Sequence, residues 1–154
     1  MPRASANSGS SSDVCACGRL RRATRSITQL YDDAMAPSRL RVSQFALLRT
    51  LSREGAKPIT ALAAALLLDR TALSRTLQPL VERHLVAITS GDDARMRTVS
   101  LTQAGKRTLR DARPHWEHAQ RAVAARLGAT RLQDLIDTLT ELEALHPRST
   151  RESQ

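Results

Sequence analysis

Apolar residues first recur along the chain at three- and four-residue steps. Leu20, Ala23, Ile27, Leu30, Tyr31 and Ala34 form one stripe, which Pro37 stops. The spacing predicts an amphipathic helix capped at Ser12 or Asp13 with that stripe buried. A second helical segment, capped at Ser43, turns Leu47, Leu48 and Leu51 inward and ends at EGAKP. Thr60 caps a short third segment, ALAAALLL, and Asp69 caps a fourth, DRTALSRTLQPLVERHLV. The period then changes. Val86 and Ile88 alternate with smaller or polar residues, as do Val99 and Leu101, which predicts the two arms of a hairpin around the charged turn SGDDAR. Thr102 opens a long helix carrying Leu109, Ala112, Trp116, Val123 and Leu127, closed by Gly128, and Thr130 starts a last one. There Leu132, Leu135, Ile136, Leu139, Leu142 and Leu145 recur at nearly heptad spacing. Such a stripe is too apolar for a lone surface helix. It points to association with a second copy, with packing on its own domain as the alternative.

Composition narrows the fold class. The 154 residues suit one ordinary domain with added arms, and a single Phe, Trp and Tyr among many Leu, Ala and Val favours packed helices over aromatic-rich strands. The expected fold is mainly α, with one small hairpin. Residues 1–12 and 147–154 are polar and without periodicity, and are expected to be disordered tails. No apolar run reaches the length of a membrane span and the first residues lack the apolar centre of a secretory signal, so a cytoplasmic location with no membrane partner is expected. Cys15 and Cys17 are too few for a disulfide framework and, two residues apart in a helix, point to different sides.

Charge locates the chemistry. Lys and Arg outnumber Asp and Glu by 24 to 15, almost all as arginine, the side chain that grips phosphate in a planar fork. Residues 39–110 alone hold 13 basic against 5 acidic residues, and the same stretch carries the succession of short helices and the hairpin. On the fourth helix Thr71, Ser74, Arg75 and Gln78 fall on one face and Leu73, Leu77 and Leu80 on the other. Hydroxyls, an amide and a guanidinium on an exposed face can bond to base edges and phosphates, and the helix start with Arg70 adds donors for a phosphate. An ordinary solvated face has the same composition. The hairpin decides between them: Arg95 stands at its tip, able to reach a minor groove, with Asp93 placed to hold it. Arg97 shares the parity of Val99 and Leu101, so its stem is expected to pack on the domain while its head reaches a phosphate.

The stretches ITALAAALLLDRTALSRTLQPLVERHLV and DDARMRTVSLTQAG resemble the DNA-binding helix pair and the wing signature, Asp-x-Arg followed by Leu-Thr-x-x-Gly, of MarR-family transcriptional regulators. The resemblance runs from about Val14 to Leu145 and implies a winged helix-turn-helix over residues 39–101. It further implies a helical dimerisation region made of residues 13–38 and 102–146, a homodimer, and double-stranded DNA as partner. On that pattern the helix from Asp69 is the recognition helix and Arg95 the minor-groove arginine. His84 stands where the family commonly has glycine and would need a left-handed backbone. Pro79 lies inside the recognition segment and should kink or loosen it.

Members of the family commonly release DNA when a small, often aromatic, molecule binds or a cysteine is oxidised. The resemblance makes Tyr31, Phe45 and Trp116 candidates for an effector pocket, with ordinary core residues as the alternative. Cys15 and Cys17, at the start of the first helix, are the candidate redox sensors. With His115 and His118 they could also form a soft-metal site, although their spacing matches no ligand signature and no metal or cofactor is expected. A glycine-rich phosphate loop, HExxH and a nucleophile elbow are all lacking, so no enzyme is expected. The expected function is therefore a sequence-specific DNA-binding regulator, a homodimeric repressor released by a ligand or by oxidation. The alternatives are a winged-helix module for non-specific DNA, RNA or protein binding, or a metal sensor.

Overall fold

A computed structural model of the chain describes residues 15–90 and 97–146. The elements run α1 (Ala16–Met35), a 3-10 turn (Ala36–Ser38), α2 (Val42–Glu54), β1 (Lys57–Pro58), α3 (Ile59–Ala65), α4 (Arg70–Glu82), β2 (Val86–Ser90), β3 (Arg97–Leu101), α5 (Gln103–Leu127) and α6 (Ala129–Glu143). The fold is mainly helical, a winged helix-turn-helix with α1, α5 and α6 added at its ends. The expected tails and the expected caps Ser12 and Asp13 lie outside the described residues. The N-cap of α1 is Cys15, whose sulfur accepts from the Gly18 amide at 3.5 Å.

Helix starts follow the sequence where the cap is local. The Asp69 carboxylate accepts from the Ala72 amide at 2.8 Å and opens α4; the Thr102 hydroxyl accepts from the Gly105 amide at 3.0 Å and opens α5. Two other expected starts are corrected. Ser43 lies inside α2, because the α2 start is satisfied from outside: Asp32 of α1 accepts from the Val42 amide at 2.7 Å and from Arg41 at 3.0 Å. Thr60 lies inside α3, which begins after Pro58, a residue whose missing amide costs nothing at a helix start. The last helix likewise opens one residue earlier than Thr130, on Gly128 with its φ of 83°.

Pro79 does not loosen α4, which continues unbroken to Glu82. The proline removes one donor from a helix whose last turn is fastened to the core by Leu77 and Leu80, 5% and 0% exposed. His84 adopts the left-handed backbone, φ 54°, and lets the Leu85 amide bond back to the Leu80 carbonyl at 2.9 Å. The hairpin pairs Val86 with Leu101, Ile88 with Val99 and Ser90 with Arg97. A third strand, not expected from the sequence, joins it: β1 pairs Lys57 with Val99, giving the order β1-β3-β2. Two residues are too short a run to carry a period, and Pro58 is tolerated because the strand lies at the edge.

The core sits between α2, α3, α4 and the sheet, with Leu47, Leu48, Leu62, Leu80 and Val99 fully buried and Ala112 of α5 and Met35 of α1 joining it. The expected buried stripe of α1 is corrected. None of Leu20, Ala23, Ile27, Leu30, Tyr31 and Ala34 is fully buried, and Ile27 and Leu30 are each 40% exposed. In one chain α1 packs on α5 along part of its surface only, so the rest of the stripe has nothing to cover it. The α6 stripe is in the same state, with Leu135, Ile136, Leu142 and Leu145 all exposed.

At the foot of the hairpin, Gly105 is wedged against β2. A Cβ at this position would meet the Leu85 carbonyl oxygen at 2.0 Å and the Leu101 side chain at 2.8 Å. The Thr102 hydroxyl lies 2.8 Å from the His84 carbonyl and 3.0 Å from that of Leu85, and its amide donates to the latter at 3.1 Å. The end of α4, the root of β2 and the start of α5 are thus fastened at one point. Among the described residues no helix is long and apolar enough to cross a membrane.

Candidate nucleic-acid interface

The helix-turn-helix is formed by α3, a tight turn and α4. The turn is closed by the Leu68 amide on the Ala63 carbonyl at 2.9 Å, and it forces Leu67 into a left-handed backbone with φ 51°. Asp69 then starts α4 with its apolar side, Leu73, Leu77 and Leu80, in the core. That anchoring leaves Thr71, Ser74, Arg75 and Gln78 exposed along the opposite side, as their spacing predicts, with Arg70 exposed at the helix start. Arg70 and Arg75 have no carboxylate partner within ion-pair distance among the described residues. Gln78 is partly engaged, since its amide donates to Glu82 at 2.9 Å. A hydroxyl-rich strip with one unpaired guanidinium has the donors and acceptors needed for base edges and the charge needed for phosphate.

Arg95 and Asp93 lie outside the described residues. Arg97 opens β3 opposite Ser90 and is exposed, so the expectation that its stem packs on the domain is corrected. It sits at the far end of the ribbon from the core, where the face it shares with buried Val99 has already left the protein. Arg83, just past α4, is also tied down: it donates to the Arg39 carbonyl at 2.7 Å, across from the loop that links α1 to α2.

The three candidate pocket aromatics do not converge. Phe45 of α2 and Trp116 of α5 stack with centroids 5.7 Å apart and planes 21° apart, and Arg49 lies over the Trp116 ring at 4.7 Å. A cleft of ≈ 400 Å³ opens beside them between α2 and α5. Tyr31 does not line it; its hydroxyl donates to Gln120 of α5, and burial pushes its phenol above the ordinary 10.0. The cleft brings in residues that the sequence reading missed: Arg49 and Arg53 from α2, and Lys106, Arg110 and Arg113 from α5. Their signal was the i, i+4 and i, i+4, i+7 spacing of cations on two helices, which becomes meaningful only once the helices are known to be adjacent.

Cys15 and Cys17 are both exposed and free. Cys17 lines a shallow apolar groove between α1 and α6, together with Leu20 and Leu142. Among the described residues no three His, Cys, Asp or Glu side chains gather closely enough to hold a metal.

Comparison with known proteins adds to this geometry. A family model described as the MarR family matches residues 40–96, a stretch that contains α2, β1, α3, α4 and β2. The transcriptional regulator MosR of M. tuberculosis, solved in complex with DNA, is 35% identical, with a TM-score of 0.74 over 84% of this chain and 96% of its own. BpsR of Bordetella bronchiseptica, a protein whose DNA binding is regulated by 6-hydroxynicotinic acid, has the same fold at 22% identity, a TM-score of 0.74 and coverage of 82% and 96%. MarR of E. coli, solved as a mutant with operator DNA, matches at 22% identity, a TM-score of 0.72 and coverage of 81% and 91%. No curated protein gives a significant match to the chain.

Proposed function

The chain belongs to the MarR family of DNA-binding transcriptional regulators, and from that membership we propose that it is a homodimeric repressor of a pseudo-palindromic operator. The observation that carries the reading is the exposed strip of α4. Thr71, Ser74 and Arg75 face solvent on a helix whose other side is locked into the core, at the centre of the most cationic part of the chain. Each protomer sets this strip in a major groove, with Gln78 at its end and Arg70 on a phosphate. Arg95, held by Asp93, reaches the flanking minor groove, and Arg97 meets the backbone beside it. Regulation of transcription and not catalysis is the activity of the family.

The dimer is built from the ends of the chain, residues 13–38 and 102–146. The exposed apolar residues of α1 and α6 support this, because Leu135, Ile136 and Leu142 on one helix and Ile27 and Leu30 on the other are what a second copy would cover. DNA is released by a small aromatic effector or by oxidation of Cys15 and Cys17. The Phe45–Trp116 stack beside an open cleft supports the first route, as does the response of the similar BpsR to 6-hydroxynicotinic acid; the exposure of both thiols supports the second.

The test is selection of bound sequences from a random duplex library at near-physiological salt. A two-fold symmetric enriched site is the expected result. Salt-sensitive binding with no enriched sequence would retire the repressor reading in favour of general DNA coating.

A further inference from the structure

We propose that Arg83 is a positioning residue for α4: its bond to the Arg39 carbonyl braces the last turn of the helix, which Pro79 leaves short of a hydrogen bond, and so fixes the exposed face that carries Arg75 and Gln78. The consequence for DNA rests on the reading of α4 as the recognition helix; the brace itself does not. A proline at 79 has no amide to offer the carbonyl of Arg75, one turn earlier, and its ring crowds that carbonyl. The weakened turn therefore lies between two residues of the exposed strip. Nevertheless α4 runs unbroken to Glu82. Leu77 and Leu80 hold this turn from the core side only. Towards solvent, Gln78 donates to Glu82 at 2.9 Å within the helix, and Arg83 donates to the Arg39 carbonyl at 2.7 Å. Of these two bonds, only the second reaches a point outside α4.

Both ends of that bond are firm. On the acceptor side, the Arg39 amide donates to the Ala36 carbonyl at 3.0 Å and the Ser38 hydroxyl to the Met35 carbonyl at 2.7 Å. The segment is pinned between Met35 and Leu40, 0% and 3% exposed. On the donor side, the Arg83 amide donates to the Pro79 carbonyl at 3.2 Å, and Leu85 just beyond is buried. Left-handed backbone stands at each end, Arg39 with φ 55° and His84 with φ 54°, a conformation that non-glycine residues keep only where the surroundings enforce it. Arg83 meets no carboxylate within ion-pair distance among the described residues, so no acid competes for its guanidinium. Because Met35 ends α1, the brace links the far end of α4 to the helix with the exposed apolar stripe.

The test is residue-resolved amide hydrogen exchange on the full chain, followed by DNA binding with the same variants. Arg83→Met should speed exchange roughly tenfold at Val81, Glu82 and Arg83 while leaving Leu47 and Leu48 unchanged. Arg83→Lys keeps a charged donor and should stay within about threefold of the native protein. Pro79→Ala restores the missing amide, so in that background Arg83→Met should change exchange by about twofold or less. On the two-fold symmetric duplex from the library selection, Arg83→Met should weaken binding by roughly fivefold to tenfold, with random duplex and the salt slope unaffected, and Pro79→Ala should remove most of that loss. Faster exchange throughout the core, equal acceleration in both proline backgrounds, or a salt slope lowered by about one, the mark of a phosphate contact, would each overturn the proposal. The expected exchange pattern with no enriched duplex would retire the regulator reading and uphold the brace. Specific duplex binding with unaltered exchange in Arg83→Met would retire the brace alone.

Discussion

His84 holds a left-handed backbone that most side chains resist, and it does so at the joint between α4 and β2. The imidazole is exposed, so the position needs the backbone angle and not the ring. His84→Gly should therefore raise stability by roughly 0.5–1 kcal/mol, read as a shift in the urea midpoint with an unchanged slope. DNA contacts belong to the same scale. Arg75 is exposed and unpaired on the strip proposed to enter the groove, so Arg75→Ala should reduce discrimination between operator and altered operator by about 1–3 kcal/mol. Arg95→Ala should instead weaken all DNA alike and lower the salt slope by about one. Competition binding at two salt concentrations separates the two effects, and equal losses of specificity in both variants would contradict the division of labour.

Between elements, the joint that matters most is Asp32. One carboxylate of α1, 12% exposed, satisfies the first amide of α2 and pairs with Arg41, so the helix that carries the exposed apolar stripe also fixes the start of the DNA-binding part. Asp32→Ala should cost about 1–2 kcal/mol of stability, and Asp32→Asn, which keeps an acceptor for Val42, should recover most of it. Chemical denaturation of the three proteins checks this. A second link is Tyr31 on Gln120. Because burial raises the phenol above 10.0, the fold prefers its neutral form, and stability should fall as the pH climbs past that value, less so in Tyr31→Phe.

These joints explain what was legible in the sequence. Asp69 and Thr102 could be read as caps because each bonds an amide three residues on. The α2 start could not, because its acceptor stands ten residues away on another helix. The two faces of α4 followed from a period of 3.6, and the hairpin from a period of 2. The strand β1, the openness of α1 and the cation-lined cleft depend on which elements become neighbours, and no local pattern carries that.

For the whole molecule, the decisive feature is where apolar surface remains uncovered. The core of the DNA-binding part is closed, with Met35 of α1 and Ala112 of α5 completing it and Leu47, Leu48 and Val99 at zero exposure, while α1 and α6 leave Ile27, Leu30, Leu135, Ile136 and Leu142 open. Ile136→Glu, placing a charge at the centre of that surface, should turn the proposed dimer into a monomer in sedimentation and abolish tight operator binding, leaving helix content intact. A dimer that survives Ile136→Glu would put the interface elsewhere. Gly105 adds a constraint at this scale. With no side chain between α5 and the Leu85 carbonyl, the end of α4, the root of β2 and the start of α5 are packed directly on one another, and any larger residue at 105 would have to push them apart. In the proposed dimer the distance between the two copies of α4 is then set by how α1 and α6 pair, so a change of operator half-site spacing is expected to be met by substitutions in those helices.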